Sequence, residues 1–365
     1  MKKIKQPALQ ILSLNVFMIV LLSCTIQSKG QSFHHRTLLA LSKTGHRLVM
    51  LDPVTFHVIA RIPVGEDPHE VIASSDGKTA YVSIYGGGSL HELNVIDLVQ
   101  KKPLTNIDTR PLWGPHGLVF VDGKVWFTAE GSKSIGRYDP GTGKLDWSMG
   151  TGQDRTHMIY VTANGKKIYT TNVASGTVSI LIDTTIRQGP PPQRMKASQK
   201  NLSSHIPPTP FQNAHENWEQ TIIPVSKGSE GFDVSPDRSE LWTVSAEDGK
   251  IFIIDLLEKK TSAKIDAKIF GANRLKFTPD GKMVFISSLR TGDVTIYDSK
   301  THMEIKRLNI EHGAAGILMD NDSSRAFVAS SGDNYLAVID LKSLTVTAKI
   351  DVGGMPDGLA WAVQH

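Results

Sequence analysis

A hydrophobic residue followed by aspartate recurs seven times along the chain: Leu51-Asp52, Ile96-Asp97, Tyr138-Asp139, Ile182-Asp183, Ile254-Asp255, Tyr297-Asp298 and Ile339-Asp340. Most copies follow a tight-turn element by about fifteen to twenty residues: Ser75-Asp76-Gly77, Asp122-Gly123, Asn164-Gly165, Pro236-Asp237 and Asp280-Gly281, with Asn321-Asp322 as a degenerate copy. Asp-Gly and Asn-Gly accept the positive φ angles of type I′ hairpin turns. Between turns lie β-branched and aromatic runs such as Thr79–Ser83, Lys167–Thr171 and Met283–Ser287, which alternate as half-buried strands do. Each unit therefore holds four strands: A before the Asp-Gly turn, B the aromatic run, C ending in aspartate, and D leading to the next unit.

Equivalent A-strand positions fall at His69, His116, His157, Glu230, Asn273, Ala315 and Asp357, spaced by 47, 41, 73, 43, 42 and 42 residues. Four strands every 40 to 45 residues is the period of propeller blades. The reading is an all-β, seven-bladed propeller of four-stranded antiparallel blades over residues 37–365. Its last A strand, Gly358 to Val363, lacks B, C and D strands after it. Those three stand at the other end, at Arg36–Ser42, His46–Asp52 and His57–Val64. One blade shared by both termini closes the ring and removes sheet edges. The long interval carries an insertion at 184–218, rich in proline at Pro190-Pro191-Pro192 and Pro207-Pro208, between strands C and D. Its composition reads as a loop, with Trp218 as its exposed aromatic and His205 and His215 as possible partner contacts. The remaining tryptophans, Trp113, Trp126, Trp147, Trp242 and Trp361, fall on or beside strands and read as packing between blades.

The stretch from Ile168 to Asp183, Ile-Tyr-Thr-Thr-Asn-Val-Ala-Ser-Gly-Thr-Val-Ser-Ile-Leu-Ile-Asp, resembles the YVTN repeat of bacterial extracytoplasmic propellers, including the YncE-like proteins. The pattern covers nearly all of residues 36–365. No recurrent Gly-His…Trp-Asp pairing supports the rival WD repeat. Members of the family are mostly secreted or periplasmic, and their activities are mostly undetermined. The fold also resembles lactonases, streptogramin-type lyases and the haem-binding propeller of periplasmic nitrite reductases, so it does not choose a function.

The N-terminus agrees with an extracytoplasmic address. Residues 1–23 read as a signal peptide, with a basic start at Lys2, Lys3 and Lys5 and an apolar run from Leu9 to Leu22. Leu21-Leu22-Ser23-Cys24 resembles the lipobox of bacterial lipoproteins, which implies lipidation at Cys24, the single cysteine. Ordinary cleavage between Thr25 and Gly30 is the alternative. Residues 24–36 then form a polar tether, and the only membrane contact expected is the lipid anchor.

Without the signal lysines, the net charge of +4 falls to near neutrality, which removes the basic surplus of a nucleic-acid protein. One cysteine excludes a disulfide scaffold and a thiolate zinc site. No Cys-x-x-Cys-His exists for covalent haem, and no Gly-x-Ser-x-Gly elbow for a hydrolase triad. Gly86-Gly87-Gly88 precedes no helix and is not a phosphate cradle. The seven strand-C aspartates read as turn caps.

Chemistry is expected where the A strands begin. On that face the channel ring reads His69, His116, His157, Glu230, Asn273, Ala315 and Asp357, joined by Glu70 and Arg274. The B-to-C loops add Tyr85, Glu130, Asn172, Glu247 and Arg290, and His312 stands three residues before its ring position. Three imidazoles and a carboxylate, His69, His116, His157 and Glu230, suit a divalent transition metal. The competing reading is that hub histidines of a wet channel simply bond to water. Two functions follow: a monomeric binding scaffold that presents this face to a small molecule or a protein, or a metal-assisted lyase or lactonase-type hydrolase of an anionic sugar or lactone.

Overall fold

The B strand of each unit is buried at nearly every position, as a strand covered on both faces must be. Leu38, Leu39, Ala40 and Leu41 on one B strand are all fully buried. Such strands need a covered sheet on either side, and radial stacking of small sheets supplies it. The computed structural model describes residues 35–184 and 217–364. It contains seven antiparallel sheets arranged as propeller blades. In six of them four strands lie in the order A-B-C-D. In blade 2 the D strand is split into Lys102–Pro103 and Ile107–Asp108, both paired with strand C, Glu92–Asp97. The expected propeller is the observed one.

Closure follows the expected route. The A strand of blade 1, Pro356–Gln364, pairs with the B strand His35–Ser42, in a register that sets Leu38 opposite Trp361 and Leu39 opposite Ala360. Arg36 reinforces the join, with its guanidinium 4.0 Å from the Trp361 ring and 2.6 Å from the Asp320 carboxylate on blade 7. The apolar core lies between adjacent blades. Leu39, Leu41 and Met50 of blade 1, for example, pack with Val71, Ala80 and Val82 of blade 2.

Turn chemistry holds in part. Six of the strand-C aspartates, Asp52, Asp97, Asp139, Asp255, Asp298 and Asp340, accept backbone N–H bonds two or three residues on. They are caps, as read. The A-to-B turns are not generally type I′. Only Asp122-Gly123 has positive φ at both residues, 51° and 72°. At Ser74–Lys78 and its equivalents a single left-handed residue suffices, Gly77, Gly165 or Gly281 in three turns and Arg238 or Ser323 in two, and the preceding side chain caps the turn, as Asp76 does for the Lys78 N–H at 3.1 Å. The strand D of blade 4 begins at Trp218, so that residue belongs to the sheet and not to the insertion. Trp218 packs on Trp147, which packs on Trp126, at centroid separations of 5.2 and 5.3 Å. Trp113, expected to be packing, is 41% exposed and stands edge-on to His91. Cys24, His205 and His215 lie outside the described residues.

One detail of the A strands positions everything at the channel. In every blade the register between A and B slips near the channel end, so that two A residues oppose one B residue. This is a β-bulge, the device by which sheets re-aim side chains. The first bulged residue is the ring residue, and the second is Glu70, Gly117, Met158, Gly231, Arg274, Gly316 or Gly358 in turn. Glycine recurs there because neighbouring A strands nearly touch. A Cβ on Gly117 would meet the His157 carbonyl oxygen at 2.6 Å, and one on Gly316 the Asp357 oxygen at 2.1 Å. Hydroxyls on the opposing B residue stitch the seam. Thr128 accepts the Gly117 N–H at 2.8 Å and donates to the His157 carbonyl of the next blade at 2.5 Å. Ser287 does the same between Arg274 N–H and the Ala315 carbonyl, at 3.1 and 2.6 Å.

Candidate channel-face site

Two kinds of position besides the ring carry side chains to this face. Two residues before each ring residue, the D-to-A connection passes through the left-handed region: Asp67, Gly114, Arg155, Gly228, Gly271, Gly313 and Met355 have φ between 50° and 77°. Glycine fills four of these slots, since only glycine takes that φ freely. The first residue after each B strand forms the other set, and it supplies Lys43, Tyr85 and Glu130.

The histidines of blades 2, 3 and 4 form one stack. His69 and His116 lie 4.8 Å apart between ring centroids, and His116 and His157 4.0 Å apart at 34°. Tyr85 stands edge-on to His69 at 4.8 Å and to His116 at 5.1 Å. Glu130 is buried beneath them. Its Oε1 accepts a hydrogen bond from His157 Nδ1, and its Oε2 accepts the Tyr85 hydroxyl at 2.5 Å and faces Arg155 Nε at 3.4 Å. Burial pushes the Glu130 pKa up, but the hydrogen bond and charge of His157, then Tyr85 and Arg155, outweigh it and hold the carboxyl at about 2. Tyr85 is raised in turn, first by burial and then by its bond to Glu130. The triple glycine finds its use here. A Cβ on Gly114 would lie 2.7 Å from Gly88 Cα and 3.1 Å from Gly131 N, so bare backbones let the blade 2 loop bring Tyr85 to Glu130.

His116 is 2% exposed, and its pKa is held well below the ordinary value, first by burial and then by His157, His69, Arg274 and Lys43. His69 is lowered too, chiefly by burial. Its Nε2 lies 2.8 Å from Lys43 Nζ, and its Nδ1 3.2 Å from the Asp67 carbonyl.

The rest of the ring is closed by its own charges. Arg274 is bonded to Glu70 and to Asn273 Oδ1 at 3.2 Å, and lies 3.7 Å from Asp357. Glu230 accepts from Asn273 Nδ2 at 3.1 Å and faces Arg155 at 3.7 Å. Lys43 links Asp67 at 3.2 Å to Asp357 at 3.6 Å. This network sets five carboxylates, Asp67, Glu70, Glu130, Glu230 and Asp357, against three cations, Lys43, Arg155 and Arg274.

The structure thus brings together His69, His116, His157, Glu130, Tyr85, Glu230, Asn273, Arg274, Glu70 and Asp357. It does not bring in Asn172, which is fully buried and spends its amide on Thr177 and Ser179 at 3.0 and 2.9 Å inside blade 4. Glu247 and Arg290 are exposed. The His312 side chain is 82% exposed and pairs with Asp333 at 2.9 Å, away from the channel. Of the four residues expected to hold a metal, Glu230 is engaged with Asn273 and Arg155. Among the described residues, the group whose ligand atoms lie within 4.8 Å of one another is His116, His157 and Glu130.

A groove of 810 Å³ lies on the opposite face between the turns of blades 4 and 5, against Tyr169, Ile182, Arg238 and Leu256. Size alone does not outweigh the chemistry of the channel. Among the described residues its lining includes no histidine, and its charged residues are Lys166, Lys167, Asp183, Arg238, Asp255 and Lys259.

No protein-family model matches the chain, and no curated protein matches it. Solved structures do. A functionally unknown protein from Desulfotomaculum acetoxidans superposes with a TM-score of 0.66 at 13% identity, over 90% of this chain and 99% of its own. A candidate 6-phosphogluconolactonase from Bacteroides uniformis gives 0.69 at 13% identity, over 89% and 99%. Kuenenia stuttgartiensis hydrazine synthase gives 0.62 at 14%, over 80% and 89%. At such identities the likeness shows the propeller fold, and the two activities named among them already differ in their chemistry.

Proposed function

We propose that the protein is an extracytoplasmic binding propeller of the YVTN/YncE-like kind, tethered by a lipid on Cys24, whose channel face takes a small polar ligand against blades 2, 3 and 4. One observation carries the reading: Tyr85, His69, His116 and His157 form a continuous wall of aromatic and hydrogen-bonding groups, while Glu230, Asn273, Arg274 and Asp357 of blades 5, 6 and 1 are tied up in pairs with one another and with Glu70, Arg155 and Lys43. Binding sites elsewhere combine such apolar walls with a few fixed polar groups. Five carboxylates against three cations favour a neutral or cationic ligand.

A lactonase-type activity on an anionic sugar has the name of the Bacteroides uniformis neighbour behind it, and the carboxylate excess against it. The test is thermal unfolding of the full chain with a panel of neutral sugars, lactones, amino acids and polyamines. A ligand at a hundred times its dissociation constant stabilises the fold by about 2.7 kcal/mol. The reading expects a compound that raises the melting temperature of the parent and not of Tyr85→Phe/Arg155→Ala. An equal shift in parent and variant would place binding elsewhere. Palmitate labelling that persists in Cys24→Ser would refute the anchor.

A further inference from the structure

We propose that His116 and His157 bind a divalent transition metal of the zinc class, with Glu130 as the carboxylate that orients His157 and balances the ion's charge. The inference goes beyond ligand binding at the channel and does not depend on it.

Two atoms point to the ion. His116 Nδ1 and His157 Nε2 are buried and have no hydrogen-bond partner, in side chains only 2% and 4% exposed on adjacent, nearly stacked rings. Buried polar atoms are otherwise satisfied with few exceptions, and an orphaned pair on neighbouring imidazoles calls for a shared partner. Glu130 fixes which nitrogen of His157 is available. An ionised carboxylate only accepts, so the bond puts a proton on Nδ1, and in the neutral ring that metal binding requires the lone pair is then on Nε2. A histidine held by a carboxylate through one nitrogen and bound to metal through the other is the usual outer-shell arrangement of zinc sites.

The alternative partners for these nitrogens are weak. Lys43 and Arg274 are committed to carboxylates, and Arg155 to Glu130 and Glu230. A cation also suits the local charge. The five carboxylates of the network outnumber its three cations, and Glu130 lies directly against His157. His116, His157 and Glu130 each offer a ligand atom within 4.8 Å of one another, close enough for their side chains to converge on a single ion at bond lengths of about 2.1 Å. Two protein nitrogens leave coordination positions open toward the channel, where Tyr85 stands. His69 is not a ligand here, since its Nε2 is taken by Lys43.

The experiment uses the full chain without a histidine tag, stripped by chelation and titrated with Co2+ followed by its visible absorption, with Zn2+ as competitor and no organic ligand present. One equivalent of Co2+ is expected, displaced by Zn2+. His116→Ala and His157→Ala each weaken binding by about tenfold or more, and Glu130→Gln by about 10- to 100-fold. His69→Ala and the surface control His312→Ala change it less than about threefold. No stoichiometric uptake, unchanged affinity in His116→Ala, or a His69→Ala loss as large as that of His116→Ala would each overturn the assignment. If the alanine variants do not fold, nitrogen NMR of the parent decides: Zn2+ must shift Nδ1 of His116 and Nε2 of His157 and leave both His69 nitrogens in place. A metal bound without any ligand hit, or a ligand hit without metal, separates this inference from the proposed binding function.

Discussion

Thr128→Val tests how the propeller holds its site. The Thr128 hydroxyl is fully buried, accepts the bulged Gly117 N–H at 2.8 Å and donates to the His157 carbonyl of the next blade at 2.5 Å. Valine keeps the volume and removes both bonds. A buried backbone group left without a partner costs roughly 1 to 3 kcal/mol, so two such groups cost about 2 to 6 kcal/mol. Thr128→Ser retains the hydroxyl and loses one buried methyl group, a cost of about 1 kcal/mol. Serine and valine therefore invert the order that hydrophobicity alone would give. Urea unfolding followed by tryptophan fluorescence reads the difference, provided both variants show the parent's m-value. We expect valine to fall below serine by at least about 1 kcal/mol. A valine variant as stable as the serine variant would refute the claim that hydroxyl bridges hold the A strands together.

Gly316→Ala puts a Cβ 2.1 Å from the Asp357 carbonyl oxygen and should cost about 1 to 3 kcal/mol of unfolding free energy, as overpacking against a rigid backbone does. Gly150→Ala, whose Cβ would have only Ser134 Oγ near it, at 4.0 Å, should stay within about 0.5 kcal/mol of the parent, and equal losses would count against the steric account. His312 titrates above its ordinary value of 6.5, because the Asp333 carboxylate accepts its Nδ1–H. The pair's contribution is therefore complete below pH 6.5 and lost as the pH rises through the raised value. Proton NMR should show the His312 midpoint fall in Asp333→Asn, and an unmoved midpoint would remove Asp333 as the cause.

The ring of seven A-strand residues was legible because repeats spaced by about 42 residues fix one register for all blades, and that register survives folding. The loop residues were legible only where the register was kept. Counting one place after each B strand gives Lys43, Tyr85 and Glu130, all in the site. Asn172 is the last paired residue of its strand, opposite Thr156, one place too early. Glu247 and Arg290 stand one place too late. In a strand, a slip of one residue reverses the side a residue faces, which is why Asn172 turns into the blade. Asp67 and Arg155 lay in a slot that sequence marks by glycine in four blades. A non-glycine in a glycine slot was the available signal. The bulge itself left no mark beyond the glycines that follow the ring residue.

The repeat also explains why the site lies where it does. The frame offers every blade the same three channel-facing slots: the left-handed residue, the ring residue and the residue after strand B. Blades 5 and 6 fill the first with glycine and the last with Ala246 and Leu289, and blade 7 uses Gly313, Ala315 and Ser331. Blades 2 to 4 fill theirs with Asp67, His69 and Tyr85, then His116 and Glu130, then Arg155 and His157. Holding a side chain other than glycine in the left-handed region costs about 1 kcal/mol. Arg155 is kept there at φ 55° and joins Glu130 to Glu230, while Asp67 is kept at 51° and anchors Lys43 beside His69. Both strained positions flank the histidine stack, one on each side. Glycine serves four of these slots and Met355 a fifth without bringing a charge, so the two charged departures, Asp67 and Arg155, mark the part of the face that is specialised for chemistry.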